Sequence, residues 1–437
     1  MSEGFDGPVS GTARVAVSGI ALLSASVLLG VFGSGWKGKP HPGVQELRWW
    51  NMFAGPDGGR TLGLVKKFNA ANPDARVSMQ RMDAGLYYNK LFVAGLAGRG
   101  PEIFVVHADV LPRFARAHLL EDLGVLRDRD GWASGDFDSQ VGNAVTFEGR
   151  MRAIPWDIHP VGLYYNAELF RRAGVVDGVG RPRPPTNRAE FLEAIRKINQ
   201  LGEKGFAFTW LRTNLYTIMR QFGGRLFSED GRRCTLDDPR NIEALQFCVD
   251  LIHRDDLVAG PQGGDPFAGF RQGHIGMVME GIWMIADFGR AGLDLGVAPA
   301  PLLGTIPAVW MNSHCLALRP GLSPETREAA WRFIRFLSDE GLDWAGAGQI
   351  PARISLRRTS VFEAMPAQSV FATQIGHGVY PPRIPISFEF TGEFDLAVER
   401  ALRGELDPAT ALREATVRVN LALERDRKAN HEFGKTP

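Results

Sequence analysis

Three cysteines in 437 residues leave little from which to build a disulfide framework or a thiolate metal site. Cys234, Cys248 and Cys315 show no C-x-x-C and no metal-ligand spacing. Cys248 shares a helical stripe with Leu245 and Ile252, the pattern of a core thiol. A surplus of charge is missing too. Lysine and arginine number 50 against 49 aspartates and glutamates, a formal net charge of +1. No basic field therefore marks a nucleic-acid or anionic-membrane partner. Motifs of chemistry are absent: there is no P-loop, no H-E-x-x-H and no G-x-S-x-G. No cofactor and no metal are expected. Beyond the N-terminus, no hydrophobic run reaches membrane-spanning length.

What is present begins with one apolar run. Val15 to Phe32 are almost wholly apolar or small, preceded by Arg14 and followed by Lys37 and Lys39. The length fits a long signal-peptide core or a short anchor. Gly33-Ser34-Gly35 offers small residues for cleavage, and no cysteine follows for lipid attachment. Residues 1–36 are read as a signal peptide or an uncleaved anchor, with the remainder exported to the periplasm or the outer face of the membrane.

The rest of the chain exceeds one core, so two domains are expected. From Glu46 the pattern alternates. Leu47 to Trp50 reads as a strand, Leu64, Val65 and Phe68 mark a helix face, and Val77 and Met79 lie on a second strand. Ile103 to Val106 is a continuous apolar run of the kind buried in parallel sheets. A helix is expected over Leu111 to Leu120, and Val145 to Ile154 reads as a hairpin. Helices dominate afterwards, with starts at Thr186, Asp238-Pro239, Asp265-Pro266 and Ser323-Pro324. Between the two halves lies Ile154 to Asn166, extended by its prolines Pro155 and Pro160 and its aromatic content. A chain crossing between two lobes has this character.

Sugars present apolar C–H faces and a rim of hydroxyls, which aromatic rings and polar side chains can match. Such groups stand at the expected strand ends. Trp50, Phe53, His107 and Asp109 belong to the first half, and Trp156, Asp157 and His159 to the crossing. Trp210, Glu280, Trp283 and Asn312 belong to the second half.

Several segments in order resemble a known family: Phe68-Asn69-Ala70-Ala71-Asn72-Pro73, Tyr88-Asn89-Lys90-Leu91, Gly100-Pro101-Glu102-Ile103, Ile154-Pro155 through Tyr165-Asn166, Phe270-Arg271-Gln272-Gly273, and Gly281-Ile282-Trp283. The set is similar to the family 1 extracellular solute-binding proteins of ABC transporters, the group that includes maltose-binding protein. The resemblance implies an α/β, two-lobed periplasmic-binding-protein fold of type II. Each lobe is a doubly wound sheet flanked by helices, with the ligand cleft at the hinge. The implied division is 45–154 plus 306–338 for the N-terminal lobe and 155–305 plus 339–437 for the C-terminal lobe. The implied ligand is a sugar or polyol, delivered by a monomer to ABC transporter permease subunits without chemistry. It also implies that Trp283 stacks on the sugar and that Asp109 matches a sugar-binding aspartate. Near Glu389-Phe390-Thr391, where maltose-binding protein has a stacking tryptophan, this chain has none. Two other readings stay open: a glycoside hydrolase using Asp157 and Glu280, and a ferric-ion or anion binder using Tyr87-Tyr88 or Tyr164-Tyr165.

Overall fold

The computed structural model describes residues 43–132, 134–261 and 263–433. The apolar run at 15–32, and with it the signal-or-anchor reading, lies outside them. No helix among the described residues is long and apolar enough to cross a membrane.

The first strands follow the alternation of the sequence. β1 (Gln45–Asn51), β2 (Ala75–Arg81) and β3 (Ile103–His107) run parallel in the order β2-β1-β3. Helices Gly55–Ala71 and Ala84–Leu96 make the crossovers. The four apolar residues of β3 are all buried, as such a run requires. The helix expected to reach Leu120 stops at Arg116, and His118 beyond it takes a positive φ of 55°. β4 (Thr146–Phe147) and β5 (Arg150–Met151) form the expected hairpin. Glu148 and Gly149 at its turn both have positive φ, the geometry that suits strand twist.

β6 (Ile154–Pro155) joins the first sheet, and one residue later β7 (Asp157–Asn166) begins the second. The remaining strands are β8 (Lys204–Ala207), β9 (Ile275–Gly281), β10 (Leu295–Ala298), β11 (Val309–Asn312), β12 (His314–Leu318), β13 (Ile350–Pro351) and β14 (Gly378–Val379). The first sheet has the order β2-β1-β3-β12-β6. The second has β14-β11-β7-β9-β8, with β10 and β13 also paired to β7. The chain returns to the first sheet between Asn312 and His314, later than position 306. β11 pairs with β7 through Met311↔Pro160 and Asn312↔His159, which holds it in the second sheet.

Helix starts are set by local chemistry. Asp238, Asp265 and Ser323 accept from the backbone N–H of Arg240, Phe267 and Thr326, each ahead of a proline at the helix start. The cap expected at Thr186 is one residue later. Asn187 accepts from Glu190 N–H while the Glu190 carboxylate reaches back to Thr186 N–H at 2.9 Å.

Candidate functional site

Two passages between the sheets, at Pro155–Asp157 and Asn312–His314, meet at one carboxylate. Asp157 is fully buried and accepts four hydrogen bonds: from His159 Nδ1 at 2.9 Å, His314 N–H at 3.0 Å, His314 Nδ1 at 2.7 Å and Trp344 Nε1 at 2.7 Å. Burial alone would raise its pKa, but His314 and the hydrogen bonds from His159 and His314 hold it far below the carboxylate range. The two oxygens have no acceptor capacity to spare for a ligand hydroxyl. This corrects the expectation that Asp157 reads the ligand.

The aromatic residues next to it also move inward. Trp156 stacks on Trp344 at 4.3 Å and 9°, and its Nε1 donates to Leu337 O. Phe53 is buried between Trp344 and His314, with ring centroids 4.9 Å away in each case. Both were expected at the ligand and are core here, because the strand ends fold over one another at the crossing. Trp50 is half-buried against the same core, its Nε1 without a partner among the described residues.

Three imidazoles gather around the passage. His314 opens β12 in register with His107 at the end of β3, and His159 lies on β7. Their ring centroids are 4.5 to 5.4 Å apart. One nitrogen from each ring lies within 4.8 Å of the other two. His107 Nδ1 is 2.5 Å from the Tyr88 hydroxyl, which also accepts from the His107 N–H. Burial and the neighbouring imidazoles push His107 well below the usual histidine range and His159 down to about 4, so these two rings are neutral at pH 7.

A second group faces the other way. From His159 the rings continue to Trp283 at 5.6 Å and Trp310 at 5.9 Å, then from Trp283 to Trp210 at 6.1 Å. Trp283 rides on a 3-10 turn after β9, and its ring folds back over Gly281, where a Cβ would sit 1.9 Å from it. That contact explains the Gly-x-Trp spacing. Trp210 is 51% exposed, whereas Trp310 is buried. Glu280, on β9 just ahead of Trp283, is fully buried; its Oε1 accepts from Gly281 N–H at 2.9 Å and its Oε2 makes no geometric hydrogen bond among the described residues. Burial pushes its carboxyl up to about 7 against the hydrogen-bonding groups of Gly281, Thr209 and Trp210. Asn312 Nδ2 donates to Asp109 Oδ1 at 2.8 Å. Burial raises the pKa of Asp109 despite that bond. A cavity of about 600 Å³ opens beside Trp210, lined also by Arg212, Asp265, His274 and Asp395, on the β8 side of the second sheet rather than at the crossing.

The structure thus brings His107, Asp109, His159, Glu280, Trp283, Trp210 and Asn312 around one passage. Sequence reasoning missed His314, Trp344 and Tyr380. Tyr380 is tied to Ser313 at the return crossing by a 2.6 Å hydroxyl pair. Tyr88 tethers His107 through its hydroxyl. The tyrosine pairs do not form an open phenolate site: Tyr87 donates to backbone carbonyls of Trp50 and Val105, and Tyr164 to that of Gly281.

Residues 56–342 match the model of the bacterial extracellular solute-binding proteins. Among similar proteins, the maltotriose-binding protein of Pyrococcus abyssi is 23% identical over 372 residues, covering 81% of this chain and 76% of its own. The sn-glycerol-3-phosphate-binding periplasmic protein of Brucella melitensis is 22% identical over 427 residues, covering 86% and 93%. In three dimensions the chain is similar to an ABC substrate-binding protein of Listeria monocytogenes in complex with cycloalternan. The TM-score is 0.77 at 22% identity, over 87% of this chain and 99% of that one.

Proposed function

The chain belongs to the bacterial extracellular solute-binding proteins, and from that premise we propose that it captures a sugar or polyol between its two sheets and delivers it to an ABC transporter permease. It acts as an exported monomer and catalyses nothing. The observation that carries this reading is buried Glu280, whose Oε2 makes no geometric hydrogen bond among the described residues, on the strand that leads into the Trp283–Trp210 ring pair. An unpaired buried carboxylate oxygen costs on the order of 1–3 kcal/mol, which a ligand hydroxyl would recover. The rings offer flat apolar surface for C–H faces. Asp109, just after β3 of the first sheet, and Asn312, on β11 of the second, supply polar groups bonded to each other across the passage. Similar proteins whose names or complexes record maltotriose, sn-glycerol 3-phosphate and cycloalternan support a polyhydroxylated ligand. Against hydrolysis, Asp157 has no oxygen free to act as the second carboxylate of a glycosidase pair.

Closure of the two lobes gives the permease its signal, with the segments around Ile154–Pro160 and Trp310–Ser313 as hinge. To carry the equilibrium from mostly open to mostly closed, the ligand must favour closure by about 5.5 kcal/mol. A thermal-shift screen against sugars, polyols and their phosphates tests the reading. Ligand at a hundred times its Kd stabilises by about 2.7 kcal/mol. A midpoint unmoved by every member of the panel would overturn it, as would an unchanged radius of gyration at saturation by an identified ligand.

A further inference from the structure

We propose that His107, His159 and His314 form a binding site for a divalent transition-metal ion of the zinc class, held where the chain passes between its two sheets. This goes beyond solute capture, which needs no ion. The three rings come from β3, β7 and β12, so an ion among them fastens the first sheet to the second.

The geometry argues for it in three ways. Zinc bound by imidazole nitrogens at 2.0–2.1 Å in a tetrahedron holds them about 3.4 Å apart. Here one nitrogen of each ring already lies within 4.8 Å of the others, so small ring rotations complete the set. Each ring is also oriented from behind through Nδ1. His159 and His314 donate to the two oxygens of Asp157, and His107 meets the Tyr88 hydroxyl. Metal-bound histidines are held by such carboxylate and oxygen partners, which leave Nε2 as the coordinating atom. In His107 the ligating tautomer has Nδ1–H directed at the Tyr88 oxygen.

The third argument is charge. Asp157 is a buried carboxylate, yet none of its four hydrogen-bond donors belongs to a lysine or arginine. The Asp157 carboxylate behind His159 and His314 favours a cation over an anion among the rings. Three nitrogen ligands select zinc, cobalt, nickel or copper over magnesium and calcium, which take oxygen. Three protein ligands leave a fourth position, which water fills.

The test uses the purified chain without a polyhistidine tag, stripped with chelator and dialysed. Titration with zinc alone is expected to load one ion per chain at micromolar concentration and to raise the thermal midpoint. Cobalt should give the visible absorption of a tetrahedral nitrogen site. His107→Gln, at the partly exposed ring, should weaken zinc binding more than tenfold with an unchanged circular dichroism spectrum. His274→Gln, at an exposed histidine elsewhere, should leave binding unchanged. The cobalt spectrum of the unsubstituted chain stands without any variant. Absence of zinc uptake, equal uptake by His107→Gln, or equal stabilisation by calcium would overturn the proposal.

Discussion

Asp157 and Glu280 are both fully buried carboxylates on strands of the second sheet, yet their surroundings differ in kind. Asp157 meets four donors from three parts of the chain, whereas Oε2 of Glu280 makes no geometric hydrogen bond among the described residues. Their pKa values accordingly move in opposite directions, the first down and the second up to about 7. Burial therefore does not distinguish a brace from a binding group. Satisfaction does: a saturated carboxylate fixes backbone, while an unsaturated one is free to meet a ligand.

The sharpest way to break this comparison is Asp157→Ala. It strands the side-chain donors of His159, His314 and Trp344 in the core, and the expected loss is about 3–5 kcal/mol in denaturant unfolding. A loss below about 1 kcal/mol would show that the passage holds without its carboxylate.

Glu280 should show itself through pH. A carboxyl whose folded pKa lies above its unfolded value of about 4.3 contributes stability that is full below that value. The contribution is lost as pH rises through about 7. The decline amounts to up to about 4 kcal/mol, at roughly 1.4 kcal/mol per pKa unit. Glu280→Gln should flatten it. A ligand hydroxyl donating to Oε2 prefers the ionised form, so affinity should rise between about pH 6 and 8 in the unsubstituted chain and stay level in the variant.

Trp283→Ala sharpens the other side. Losing a stacked ring costs roughly 0.5–1.5 kcal/mol beyond its area, or up to about tenfold in Kd, with the fold retained. An unfolded variant would make Trp283 core instead. Smallest of all, Trp210→Ala should move stability by no more than about 0.5 kcal/mol, since the ring is half exposed. Its effect on Kd should be below that of Trp283→Ala.

The strands were legible because their pattern is local. The apolar run of β3, the hairpin turn at Glu148-Gly149 and the Asp-Pro helix starts each carry their cause within a few residues. Candidate polar residues were legible as types at strand ends. Their roles were not, since a role depends on partners far away in sequence. Asp157 looks the same as Glu280 in a list of residues; only the register of His314 against His107 and the approach of Trp344 reveal that it is already occupied. His314 stands inside a run that reads as plain strand, and nothing nearby hints that it completes a trio. The return of β11 to the second sheet likewise follows from pairing with β7 rather than from any local signal.

The two passages at Pro155–Asp157 and Asn312–His314 also mean that neither lobe is one uninterrupted stretch of gene. A chimera with a relative made by a single junction would separate β12 from the β3 edge it pairs with, or β11 from β7. Recombination can exchange the second lobe only in two pieces, the insert between these passages and the later segment that carries β13 and β14. Both donors must then agree on the residues facing Asp157, so inheritance of the lobes is coupled through one side chain.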